Sequence, residues 1–189
     1  MPSDSKPVVA ILMGSHSDHP TMEETEKLLE RFQVPYVTRV TSAHRAARRT
    51  HELTAELERG GVRIFVVGAG LAAHLAGAVA AVTTRPVIGV PMAGGSLQGV
   101  DALYSTVQMP SGIPVATMAI GKHGAKNAAI LAVEILALED PTLRDRLLAY
   151  REELERSVEE GDREVSESGE VTSEDVSDAI NKLAPEGER

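Results

Sequence analysis

Five short apolar runs, each followed by a stretch with helical periodicity, leave this chain few folds to adopt. Residues 8–13 read as a first strand and 21–32 as an amphipathic helix. Residues 36–40 form a second strand, followed by a helix over about 47–59. A third strand, 63–67, leads through a glycine turn into a helix over 72–82. Residues 86–90 and 113–120 supply the fourth and fifth strands, and two further helices cover about 126–138 and 141–160. Alternation of this kind predicts an α/β fold, a parallel sheet with helices on both faces. The unbroken apolar run Val8-Val9-Ala10-Ile11-Leu12-Met13 suits a strand buried on both sides.

Residues 92–110 depart from the pattern, as a long connection containing Gly94, Gly95 and Gly99. Connections of that length in compact domains are usually functional, so this one is expected to close over a site or to make a subunit contact. Asp101, the lone acid in a long neutral stretch, is expected to cap a short helix there. Beyond residue 160 the apolar pattern fades, although Thr172-Ser173-Glu174-Asp175 suits the start of a helix reaching about Leu183. The expected division is a catalytic domain over 1–160 and an acidic, flexible tail over 161–189.

Charge follows the same division. Residues 1–150 hold 14 acidic and 14 basic side chains, whereas residues 151–189 hold 14 acidic and 5 basic. The whole formal charge of −9 therefore falls in the last stretch. A neutral globular part argues against nonspecific nucleic-acid binding, and the acidic end suits a solvated extension. With no Cys, disulfides, thiolate catalysis and cysteine metal sites are excluded. The six His are scattered with no H-E-x-x-H, so no metal site is expected. No apolar run reaches membrane-spanning length and no targeting segment stands at Met1 to Pro7, so a cytoplasmic protein is expected. Three Tyr, two Phe and no Trp offer few platforms for a stacked flavin or base.

Three motifs follow strands, on the side where open α/β sheets bind ligands. Gly14-Ser15-His16-Ser17-Asp18 leaves the first strand: Gly14 permits a tight turn, and Ser15 and Ser17 offer hydroxyls and N–H groups suited to a phosphate. Asp18 would repel phosphate and is better suited to a sugar diol. Equally, Ser17 or Asp18 serves only as a helix cap. Ser42-Ala43-His44-Arg45 follows the second strand and sets a proton-exchanging imidazole beside a permanent cation. Gly68-Ala69-Gly70-Leu71-Ala72-Ala73-His74 follows the third and fits G-x-G-x-x-A. As a dinucleotide fingerprint it lacks the acid that should end the next strand, because no Asp or Glu lies between Glu58 and Asp101, although Arg85 suits a phosphorylated ribose. The other reading is a smooth wall of Gly68, Gly70, Ala72 and Ala73. His74 either reaches a ligand there or rides on the following helix. His16, His19 and His123 read as surface residues.

Taken in order, these motifs resemble the PurE family, the N5-carboxyaminoimidazole ribonucleotide mutases of purine biosynthesis. The resemblance covers about 8–138 and includes GSHSD at 14–18, SAHR at 42–45, GAGLAAHLAG at 68–77, PVIGVP at 86–91, the run at 99–120 and KNAAILAVEIL at 126–136. It implies a three-layer α/β/α, flavodoxin-like parallel sheet assembled as a homo-octamer, with the helix at 141–160 packed against neighbouring subunits. One branch of the family moves a carboxylate within a carbamate substrate, and the other carboxylates aminoimidazole ribonucleotide directly with CO2. Arg45 and the AAHL run place this chain with the mutases, since direct carboxylases tend to carry Lys after SAH. Leu71 stands where Gly or Met is common, Ala76 where Pro is common, and 93–96 differs from the usual loop.

The resemblance implies His44 as the catalytic proton carrier, a role that an imidazole with an ordinary pKa of ~6.5 suits. It puts Ser15, Asp18 and Arg45 on phosphate and ribose, with Gly14, Ser42 and His74 beside them. Gly70, Ala72 and Ala73 would wall in CO2. No metal, biotin or ATP is needed for that step, and the carbamate-forming synthetase is the implied transient partner. The rival readings are direct carboxylation by CO2, an NAD(P)-dependent oxidoreductase using GAGLAA, and a nucleotide-sensing scaffold.

Overall fold

The computed structural model describes residues 6–169, which divide into two units at Leu147 and Leu148. The first unit is built on five parallel strands: β1 (Val9–Met13), β2 (Tyr36–Val40), β3 (Ile64–Ala69), β4 (Val87–Pro91) and β5 (Ala116–Thr117). Their order, β2-β1-β3-β4-β5, is the flavodoxin-like doubly wound order, in which the chain switches direction between β1 and β3. Between them run α1 (His19–Arg31), α2 (Ala47–Gly60), α3 (Leu75–Ala80), α4 (Val100–Val107) and α5 (Lys122–Ala137). The helix α6 (Pro141–Gly169) crosses into the second unit.

Strand alternation sorts the core into two layers. Ala10, Leu12, Phe65 and Val67 pack with Leu53 of α2 and with Leu75, Ala76 and Val79 of α3. The intervening residues Ile11, Met13, Val66 and Ile88 are equally buried and point the other way. There α1 and α5 lie together, tied by the buried Thr25 hydroxyl donating to the Ala125 carbonyl at 2.8 Å. β1 and β3 are buried at every position, as their unbroken apolar sequences require.

Register decides where a site can form. Met13 pairs with Val40 on one side and with Gly68 on the other, and Gly68 pairs with Val90. These four residues form one row across the sheet, so the segments after them all leave it along a single edge.

The structure corrects several sequence expectations. The fifth strand is only Ala116–Thr117, not 113–120. Pro114 has no N–H to donate, Gly112 turns with φ +95, and the strand lies at the sheet edge with β4 as its one neighbour. The short helix expected in the connection at 92–110 is present as α4. Asp101 sits in the first turn of α4 but does not cap it: Gly99 is the N-cap, and Asp101 Oδ1 is buried with no hydrogen-bond partner among the described residues. The third helix begins at Leu75 rather than 72, because a tight turn occupies 70–73. α6 continues past 160 to Gly169. The expected helix at 172–183 lies outside the described residues. Among the described residues no helix is long and apolar enough to cross a membrane.

α5 starts where backbones nearly touch. A Cβ on Gly124 would run into the Ala119 carbonyl and its backbone, which cannot yield as a flexible side chain would. Gly124→Ala is expected to destabilise the protein by about 3 kcal/mol, read as a lower denaturation midpoint with unchanged slope. An unchanged midpoint would mean that this approach is not tight in solution.

Candidate active site

The segment after β2 is fastened at both ends. Thr41 donates its N–H to the Met13 carbonyl at 3.0 Å, and its hydroxyl meets that of Thr50 in α2 at 2.8 Å. Between these anchors the Ser42 carbonyl accepts from Ala46 N–H at 2.9 Å, and the Ser42 hydroxyl accepts from the Arg45 N–H at 3.2 Å. The Arg45 guanidinium donates to the same hydroxyl at 3.4 Å and to the Gly14 carbonyl at 3.1 Å. Ser42 therefore aims Arg45, and Arg45 links the turn after β2 to the turn after β1. Among the described residues Arg45 has no carboxylate partner, so its charge is available to an anion.

The turn after β1 folds through reciprocal capping. The Ser15 hydroxyl accepts from Ser17 N–H at 3.3 Å and from the Ser17 hydroxyl at 2.8 Å. Asp18 Oδ2 accepts from Ser15 N–H at 3.1 Å, completing a capping box around the 3-10 turn His16–Asp18. Ser15 is the N-cap of this turn, and Asp18 stands at the N-cap position of α1 without a side-chain capping bond there, so of the two expected caps Asp18 marks the helix start and Ser17 does not. Burial lifts the Asp18 carboxyl above its ordinary value, against the lowering effect of the Ser15 N–H bond.

The turn after β3 brings in His74. His44 Nε2 and His74 Nδ1 lie 2.7 Å apart, with ring centroids at 4.7 Å and planes at 76°. At that distance one nitrogen donates and the other accepts, so the pair holds a single hydrogen between them. Both rings are exposed on the cavity side. Such a pair can move a proton between a bound molecule and solvent.

Ten of the residues singled out in the sequence line one cavity of about 710 Å³: Gly14, Ser15 and Asp18; Ser42, His44 and Arg45; Gly70, Ala72, Ala73 and His74; Ser17 lines it too, and Gly68, expected in its wall, does not. That volume falls within the usual range for small-molecule sites, ~300–1,000 Å³. Sequence reasoning did not assign Leu71, Leu75, Met92 or Ala93, which also line it, or the partnership of His44 with His74. Gly94 and Gly95 line it too, from the loop expected to close over a site. His16, His19 and His123 are not among the lining residues. Arg85 is engaged elsewhere, its Nε 3.2 Å from Glu58. Among the described residues no three His, Asp or Glu are grouped to hold a metal ion.

Strand order and cavity position make this a doubly wound α/β protein with a cavity at the carboxyl ends of its strands, where such folds bind ligands. Residues 8–157 match the AIR carboxylase family, and the chain belongs to that family. It is 48% identical over 164 residues to the N5-carboxyaminoimidazole ribonucleotide mutase of Pyrococcus horikoshii, covering 87% of this chain and 92% of the relative. The protein of the same name from Synechocystis sp. is 50% identical over 163 residues, covering 86% and 92%. That from Escherichia coli is 50% identical over 143 residues, covering 76% and 85%. A solved structure of Treponema denticola PurE superposes with a TM-score of 0.77 at 32% identity, covering 84% of this chain and 98% of that one. The resemblance read from the motifs is thus borne out for family and fold.

Asp18 carries a pH signature. Because its folded-state value is raised, its contribution to stability is full below the ordinary carboxyl range and fades as pH rises through the raised value. Asp18→Asn keeps an acceptor for Ser15 N–H while removing the half-buried charge. Its melting temperature relative to the parent should therefore rise between about pH 4 and about pH 7. A difference that stays constant or shrinks would mean that burial does not govern this carboxyl.

Proposed function

We propose that the chain is an N5-carboxyaminoimidazole ribonucleotide mutase, an isomerase of purine biosynthesis that moves a carboxylate from the exocyclic nitrogen to ring C4. The observation that carries the reading is the 2.7 Å contact of His44 and His74 in the same cavity as Ser15, Asp18 and Arg45. The relatives from Pyrococcus horikoshii, Synechocystis sp. and Escherichia coli are named mutases, which supports isomerisation over direct carboxylation by CO2. None of them is a nicotinamide enzyme.

In this reading Arg45 and Ser15 hold the phosphate, and Asp18 accepts from the ribose hydroxyls. Gly14 and Ser42 keep Arg45 in place. His44 gives a proton to the carbamate nitrogen, and the C–N bond breaks with its electron pair passing to nitrogen. C4 attacks the CO2 released, and the C4 proton returns to His44, so atoms and protons balance over the cycle. His74 stabilises whichever form of His44 each stage requires. Gly70, Ala72 and Ala73 wall the space where CO2 waits, which spares the dilution of a free reactant.

The assembly proposed is a homo-octamer. Its support within the first unit is an apolar face at helical spacing, in which Leu97, Val100, Tyr104 and Val107 are exposed. The second unit, helical through Gly169, also presents exposed Leu154 and Val158. We place the catalytic domain over 1–160 with an acidic tail over 161–189, and the enzyme in the cytoplasm. Its lightly held carbamate substrate suits direct transfer from the synthetase that forms it.

Ring-carboxylated product should form quickly from the carbamate nucleotide and only sluggishly from aminoimidazole ribonucleotide plus bicarbonate. The reverse preference would move the chain to the carboxylase branch, and no product from either would remove the reading. His44→Asn should lower turnover by ~10²–10⁴ with nucleotide affinity nearly kept; retained activity would dismiss His44 as proton carrier. Arg45→Ala should act chiefly on affinity, and an unchanged dissociation constant would take Arg45 out of the phosphate site.

A further inference from the structure

The turn at 70–73 is built against its own sequence. Ala73 N–H donates to the Gly70 carbonyl at 3.0 Å, and Leu71, the first central residue, has φ +55 while Ala72 is not in the positive region. Positive φ at that position alone is the type II′ pattern, whose ordinary occupant is glycine. Leucine there is strained, and its apolar side chain is 58% exposed. Two unfavourable features at one residue of a ligand cavity point toward function.

The side chain is seated on something. A Cβ built on Gly95 would lie 2.6 Å from Leu71 Cδ2, so with glycine there the tip of the leucine rests against the loop, and any side chain would displace it. Gly95 itself has φ +64 and belongs to the exposed loop after β4. Leu71 and Gly95 both line the cavity, so their contact joins the wall after β3 to the loop after β4. Apolar contact is the useful kind here. Free CO2 has no charge for Arg45 to grip and is a poor hydrogen-bond acceptor, so it is retained by walls rather than by polar groups.

We propose that Leu71, seated on Gly95, is a specificity-determining residue that bars the cavity mouth and holds released CO2 beside C4. The proposal rests on the mutase reading and deepens it: the bar separates transfer within one bound nucleotide from exchange with dissolved CO2. The bonds made and broken are those already written, and Leu71 takes no part in them.

The test uses carbamate nucleotide labelled with ¹³C in its carboxylate, in excess unlabelled bicarbonate. It reads the label in the ring-carboxylated product and the free aminoimidazole ribonucleotide released per product. The full-length parent should pass its label to product. Leu71→Gly, which suits the turn and removes the bar, should raise free aminoimidazole ribonucleotide per product ~10-fold and dilute the label. Leu71→Met, which restores a long apolar side chain, should return retention toward the parent. If Leu71→Gly melts early, Leu71→Asn tolerates the same φ and shortens the apolar reach, so it reads the same ratio. Equal label retention in the parent and the shortened variant would overturn the proposal and leave the mutase reading standing, whereas full dilution in the parent would overturn both. A parent that makes no ring-carboxylated product removes both.

Discussion

The register of the parallel sheet is the constraint on which the site depends. Parallel strands all finish at the same edge, and here Met13, Val40, Gly68 and Val90 lie in one row at or one residue before the strand ends. Three turns that are far apart in sequence are thereby delivered to one place, with the loop after β4 beside them. A slip of one residue in β2 against β1 would reverse the faces of its side chains and carry Ser42, His44 and Arg45 away from Gly14. The Thr41 N–H bond to Met13 and the Thr41–Thr50 hydroxyl contact secure that register where it matters most.

Given the register, the chemistry follows from a division of labour between rigid and reactive groups. Backbone and short side chains position: the Gly14 carbonyl and the Ser42 hydroxyl hold Arg45, and Ser15 and Asp18 cap each other. The charged and proton-carrying groups remain exposed to the cavity. A substrate phosphate would replace water around Arg45 without having to break an ion pair, since among the described residues no carboxylate is bonded to that side chain. Asp18 carries the cost of this arrangement in its burial, which favours its neutral form until a polar partner arrives.

Most of the fold was legible because strand burial leaves an unmistakable mark. The run before Gly14 and the runs at 64–67 and 86–90 are apolar throughout, and a sheet covered on both faces produces that. The three motifs were legible because each follows such a run directly. Pro114 and Gly112 hid how short β5 is, since apolarity alone does not report a missing N–H. A short helix at Asp101 was legible within the glycine-marked connection, but its N-cap at Gly99 was not. The His44–His74 contact spans 30 residues of sequence, and no periodicity encodes it. Leu71 was visible as a departure from the family pattern, but its positive φ and its seat on Gly95 belong to the folded backbone alone.

The most direct test of this account is a crystal structure with the ring-carboxylated nucleotide bound. The account predicts phosphate against Ser15 and Arg45, ribose hydroxyls on Asp18, and ring C4 within ~3.5 Å of a His44 ring nitrogen. A nucleotide bound elsewhere, or in this cavity with C4 turned away from His44, would contradict it.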